Sequence, residues 1–427
     1  MMFTKGFLFI LGLLFGKCDP PPPPANPTPT PSGSQAPSAS GFGASVNLTG
    51  RPIGGGADYG DWQAIPAGGG IRTFADFQRA LASAMSDAQT AIAAGSEIPF
   101  HLIYIADDAV IDTGDQILTI VPGVTIASGR GRNGSLGGLL RALVDGKDTM
   151  LQVASAAELG ATGPLPPVRV TGLRLQGPDP SQHAPDCDSW GRYGLRAVEP
   201  GSRADQAKIV TRTIEVDNNE LYAWTFATSF EGVRGAFVHH NHLHHNRRNA
   251  HTIECAVQLQ FHAEGYGIDT DSGHALIEAN LFDHNRHAIA SHGDIFTVYE
   301  AYYNVVLGPN VSHSFDCHGG IDRQDGTYIA CNTVIIAFNS LLDSDNDAVN
   351  VRGFPVTGAW VFHNEIAGGI DTIMQTKVPI ECHGIDCDFV HNQMQIFDNS
   401  PHANISPAWL VLPPASDPTN PLTGVGP

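Results

Sequence analysis

Between residues 214 and 394 the chain repeats one phrase seven times: apolar, any, any, Asn, any, apolar. The copies centre on Asn219, Asn241, Asn280, Asn304, Asn339, Asn364 and Asn392. Val216, Val238, Ile277, Ala301, Ile336, Val361 and Phe389 stand three residues before them. Leu221, Leu243, Phe282, Val306, Leu341, Ile366 and Met394 stand two residues after. The spacings are 22, 39, 24, 35, 25 and 28 residues. A period drifting through the twenties, with two long intervals, predicts a solenoid whose turns accept insertions. The runs within each turn are short and β-like, so the coils are strands rather than helices. Each Asn suits a tight bend in the left-handed region, with its amide bonded to the Asn above and below.

Ahead of the repeats, Thr73 to Ala94 carries one apolar stripe at helical spacing, Phe74, Phe77, Leu81 and Met85, and Gly95 stops it. A helix there closes the open end of the first coil. Strand-like runs follow at 101–105, 117–120, 124–126 and 168–175. The order of helix, "ILTIVPGVTIASGRG", "VRVTGLRLQGP" and Asn-punctuated coils resembles the pectate-lyase-like superfamily over roughly residues 95 to 405. That resemblance implies an all-β, right-handed, single-stranded parallel β-helix with an N-terminal capping α-helix. It implies less about activity, because the superfamily holds lyases, hydrolases, epimerases and inert adhesins.

Residues 1–18 read as an export signal: Lys5, then the apolar run Gly6 to Gly16, too short to span a bilayer. It is either a lipoprotein signal anchored at Cys18 or an ordinary secretory signal cleaved nearby. Residues 19–45 are a Pro-rich linker. Residues 46–100 form the cap with its helix at 73–94, residues 101–405 the β-helix, and residues 406–427 a Pro-rich tail. The product is secreted or surface-anchored, meets a membrane only through such an anchor, and is expected to be a monomer. The formal charge of −20 argues against nucleic acid as a partner. Six further cysteines permit three disulfides, with Cys382 and Cys387 the simplest pair, or buried free thiols.

The long intervals hold the surplus sequence, Arg247 to Gly265 and Pro309 to Thr327. The two loops are expected to emerge on one side, two coils apart, and to wall a groove. Thirteen of the 19 histidines fall between His239 and His318. The run His239 to His245 has no carboxylate at ligand spacing, so no metal site is assigned and solvated or stacked rings are expected. No cofactor is demanded, and Ca2+ is compatible. Arg286 and His287 sit six and seven residues past Asn280, and later coils have Asn346, Asp347 and Asp371 seven or eight residues past their own ladder Asn. These predict a polar column along one edge. The second insertion adds Asp316, His318, Arg323 and Asp325, and Arg352 ends a strand in the next coil. Histidines, carboxylates and arginines together are the inventory of general acid–base chemistry beside a charged substrate.

Tyr266-Gly267-Ile268-Asp269, with Arg286 downstream, resembles a motif of the alginate carbon-5 epimerases. Thr270 and Asp271 stand where that family has Pro and a catalytic His. Three functions are therefore expected in order. The first is a polysaccharide lyase or epimerase on a uronate-containing glycan. Arg286, Arg323 or Arg352 would neutralise the carboxylate, His287 or His318 would abstract the proton, and Tyr266 would return one. Asp269, Asp316, Asp325 and Asp347 would bind substrate. The second is a glycoside hydrolase using paired carboxylates among Asp316, Asp325, Asp345 and Asp347. The third is a glycan-binding or adhesin-like β-helix without catalysis.

Overall fold

The structure, a computed structural model, describes residues 53–56, 69–143, 148–179, 193–247, 265–320, 327, 329–343, 346, 348–353, 355–362, 364–366, 374–375 and 394–397. The chain divides into Met1–Val46, outside the described residues, and Asn47–Pro427, which holds every described element. The expected signal and the whole of the expected linker fall in the first unit, and the tail also lies outside the described residues. So do Arg323, Asp325, Asp345, Asp347 and Asp371.

Among the described residues, twenty-eight strands build three parallel sheets of ten, nine and nine strands. Each strand up to the twenty-fifth pairs with the strand three places later, so successive coils contribute one strand to each sheet. This is a parallel β-helix. The repeated phrase is the register itself. Val170, Val216, Val238, Ile277, Ala301, Ile336 and Val361 pair in a single column of the first sheet. Leu175, Leu221, Leu243, Phe282, Val306, Leu341 and Ile366 do so in the second. Both columns belong to one continuous apolar core. A one-residue slip would turn both outward, which is why the register is firmly set.

The ladder asparagines stand at the corner between those sheets, fully buried. Asn219, Asn241, Asn280, Asn304 and Asn339 each donate both the backbone N–H and the side-chain amide to Oδ1 of the next Asn, at 2.9–3.1 Å. The left-handed residue is not the Asn but its predecessor: Asn218, His240, Ala279, Tyr303 and Phe338 have φ of 51–59°. The backward step at that residue frees the Asn to turn inward onto the ladder.

Two expectations shift. The strand Met394–Phe397 lies in the first sheet, with Ile396 paired to Val361. Asn392 therefore precedes its strand, and the position in line with Asn364 is Asn399, outside the described residues. A second ladder also went unpredicted. At the corner between the second and third sheets, Asn246 donates to Asn285 Oδ1 at 3.0 Å and the Asn285 backbone donates to Asn310 Oδ1 at 3.2 Å. Trp224 N–H begins this ladder and Asp343 accepts at its far end.

The helix spans Phe74–Ala94, with Thr73 capping Asp76 N–H and Gly95 left-handed at φ 64°. Its buried face, including Phe77 and Leu81, packs on His101–Tyr104 and Leu118–Ile120, closing the first coil. Phe74 and Met85 are only partly buried.

Asn280→Ala should test the ladder. It takes the acceptor from the buried Asn241 N–H, one of three acceptors from the Asn241 amide, and the side-chain donor from the Val238 carbonyl and from Asn304 Oδ1, which keeps the backbone N–H of residue 280. Urea unfolding should show a loss of roughly 2–5 kcal/mol, several times a lone surface hydrogen bond. A loss within experimental error would mean that the ladder contributes no stability.

Candidate active site on the third sheet

The two insertions do not leave from one corner. Arg247 to Gly265 joins the second-sheet strand His242–His244 to the third-sheet strand Tyr266–Asp271. The expected second insertion contains an ordinary third-sheet strand, Phe315–Cys317, and its surplus lies between that strand and Thr333–Ala337 of the first sheet. The insertions therefore adjoin the two opposite edges of the third sheet. Phe315 must continue the core column Ile268–Ile289–Phe315–Val349, so this part of the chain cannot be loop.

A disulfide joins Cys317 to Cys331 and closes the second insertion at its base. The simpler pairing of Cys382 with Cys387 lies outside the described residues. Because the third-sheet strand ends at Cys317, the bridge also fixes where His318 leaves the sheet.

Alternate residues of these strands face away from the core. Ser229, Asp269, Ala290, Asp316 and Asn350 are register neighbours in one such column. Asp316 is fully buried and is the hub of the site. Arg352 Nε donates to its Oδ1 at 2.9 Å, and Arg352 Nη2 donates to Oδ2. His318 Nε2 is 3.1 Å and His287 Nε2 3.4 Å from the same Oδ2. Both rings stand within ion-pair distance of that oxygen. Burial alone would push the Asp316 carboxyl up. His318, His287 and Arg352 more than offset that and hold it well below the usual carboxylate range.

Tyr266 joins the group. Its ring stacks on His287 at 5.3 Å and lies edge-on to His318 at 6.5 Å. The Arg286 guanidinium stands 5.8 Å from the Tyr266 ring centre, and its Nη1 is buried with no hydrogen-bond partner among the described residues. The expected residues Tyr266, Arg286, His287, Asp316, His318 and Arg352 thus converge from four successive coils. Their roles divide. His318 is 22% exposed and reaches solvent. His287 is fully buried, and burial and Arg286 push its pKa well below the ordinary value, so it is a neutral supporting ring. Its Nδ1 donates to the His313 carbonyl at 2.6 Å, and its ring stacks on His313. Arg352 is committed to Asp316 rather than held open for a substrate carboxylate.

Asp269 differs from its expected role as a plain binding residue. It accepts from Ser229 Oγ at 2.8 Å. Burial, aided by Glu231, raises its pKa to about 6 against the pull of Ser229, Arg203 and His318. Asp271, which takes the place of the epimerase His, is raised well above the normal range by burial and by its neighbours Asp269, Asp294 and Glu231. Arg203 Nη2 bridges Asp271 at 2.6 Å and Glu231 at 3.1 Å. Arg203, Glu231 and Asp294 were not foreseen. Only the register, which sets Glu231 beside Asp271, could have found the first pair.

The sign of the Asp269 effect is testable. Its folded pKa is raised, so the stability it carries is complete below the ordinary carboxylate range and is lost as pH rises through about 6. Asp269→Asn cannot ionise. Between about pH 4 and pH 7 the wild type should lose stability relative to this variant, as read from urea midpoints. Parallel pH profiles would show that Asp269 titrates normally.

Compared with protein-family models, curated proteins and solved structures, the chain matches none. The reading of this site therefore rests on its geometry.

Proposed function

We propose that this β-helix is a polysaccharide-active enzyme of the pectate-lyase-like kind, a lyase acting on a uronate-containing glycan along the third sheet. The observation that supports it most is the His318–Asp316–Arg352 chain. A part-exposed imidazole is backed by a buried, ionised carboxylate, which is itself clamped by a guanidinium. Such a carboxylate stabilises the imidazolium that forms when His318 takes a proton. β-Elimination needs a base beside the proton next to the uronate carboxylate, a cation for that carboxylate, and an acid for the departing glycosidic oxygen. His318 supplies the first, Arg286 the second, and Tyr266, in reach of both, the third. Electrons from the broken C–H bond form the new double bond as the C–O bond breaks, and the oxygen leaves with the Tyr266 proton.

Asp269 and Asp271 fit an anionic substrate in one way. While they hold protons they add no negative charge to a sheet face already rich in carboxylates. Uronate binding should therefore weaken above about pH 6. The epimerase variant of the reaction is disfavoured, because Asp271 is tied to Arg203 and bonded to the His292 backbone.

A hydrolase is the second reading, and one observation favours it. Asp316 is driven down and Asp269 up, the divergence that separates a carboxylate from a carboxylic acid in such enzymes. The Arg352 clamp on Asp316 weighs against it as a nucleophile.

A panel of acidic and neutral polysaccharides tests these readings, with ultraviolet absorbance reporting an unsaturated lyase product and a reducing-end assay reporting either enzyme. The lyase should give both signals on a uronate polymer. His318→Ala should cut turnover by ~100-fold or more with little change in thermal midpoint. His287→Ala should lower both turnover and stability, because it empties a buried site. Reducing ends without absorbance would select the hydrolase. Retention on a glycan gel without cleavage would select the adhesin-like module. Full turnover in His318→Ala would remove His318 as the base.

A further inference from the structure

The histidine run on the second sheet lies outside the proposed site and is not solvated. His242 and His244 are each 4% exposed. The carboxylate absent from the run itself comes from the preceding coil, since Glu220 is the register partner of His242. Glu220 Oε1 is 3.1 Å from His244 Nε2 and 4.0 Å from His242 Nδ1. One ligand atom from each of the three side chains falls within 4.8 Å of the others.

We propose that Glu220, His242 and His244 bind one divalent cation of the Zn2+ class, linking two successive coils. Three observations support the site. First, both ring nitrogens of His242 are buried without a hydrogen-bond partner among the described residues, and a buried polar group in that state is costly unless something else binds it. Second, the spacing suits a small ion. Metal–ligand bonds of about 2.0–2.1 Å give tetrahedral ligand–ligand edges of roughly 3.3 Å, so the His244–Glu220 pair needs almost no movement and His242 a modest one. Third, His244 Nδ1 lies 2.9 Å from His245 Nδ1, an outer contact that orients a ligating ring.

Two other clusters bring histidine and carboxylate atoms as close together, and in each a guanidinium already holds a carboxylate. In Glu215–Asp217–His239, Arg169 donates twice to Asp217, and in His287–His313–Asp316, Arg352 donates twice to Asp316. Glu220 instead meets the His244 ring at 3.1 Å, with Arg130 acting on it through charge. Two imidazoles with one carboxylate favour Zn2+, Co2+ or Ni2+ over Ca2+ or Mg2+, which prefer all-oxygen shells. Asp283 is the register partner of His244 in the next coil, and its carboxylate is bonded to His284.

The test uses the full, untagged chain, stripped with EDTA and dialysed. Zn2+ is titrated calorimetrically, and Co2+ is followed by its visible absorption. One ion should bind with micromolar affinity or tighter and should raise the thermal midpoint. His242→Ala and Glu220→Gln should weaken binding by ~100-fold or more, while His313→Ala should leave it unchanged. Glu220→Gln keeps size and shape, so it decides the matter if His242→Ala fails to fold. No saturable binding would overturn the proposal. So would unchanged binding in Glu220→Gln, or a loss of binding confined to His313→Ala.

Discussion

The structure depends on what happens to the backbone where the chain turns a corner. A coil of three short strands must bend three times, and each bend buries peptide groups that the sheets cannot pair. At two of the three corners the chain answers with stacked Asn side chains, each accepting from the coil before and donating to the coil after. Because Asn241, Asn280, Asn304 and Asn339 each accept two bonds from the Asn before and give two onward, the first ladder is a single network rather than a set of local caps. That network sets the register, and the register sets everything else.

Register is what turns distant sequence into a site. Strands in adjacent coils stand about 4.8 Å apart, so residues twenty to forty positions apart become neighbours. Asp316 and Arg352 meet across 36 residues, and His287 meets Asp316 across 29. The same rule places Glu220 against His242. A solenoid thus builds catalytic or ligating groups from one residue per coil. None of these groups shows itself as a local motif.

That explains which parts were legible. The apolar–Asn–apolar phrase was readable because it repeats with the register and because a slip would expose the core. The helix was readable from its stripe and its Gly95 stop. The second ladder had a signal that was passed over: Asn246 and Asn285 each follow a ladder Asn by five residues, and Asn310 follows Asn304 by six. The seventh Asn was misplaced because Asn392 and Asn399 both have apolar neighbours, and only strand pairing separates them. The cluster of Tyr266, Arg286, His287, Asp316, His318 and Arg352 was found by composition, but composition says nothing of burial. It could not divide a part-exposed His318 from an entombed His287. Glu220 was invisible as a partner, because its relation to His242 lies in pairing and not in spacing along the chain.

The charges of the third sheet carry a final implication. Asp316 and Asp269 are one coil apart from the same intervening residue, Ala290, yet their proton affinities diverge. The difference lies in their partners. Asp316 has a guanidinium bonded to both oxygens and two imidazoles at its edge. Asp269 has one hydroxyl donor, a guanidinium shared with two other acids, and Asp271 beside it. One sheet face therefore offers a fixed negative charge and a reservoir of held protons two coils, roughly 10 Å, apart. Only the second changes across the mildly acidic range, so pH would alter the charge that a bound substrate meets while leaving the Arg352–Asp316 clamp in place.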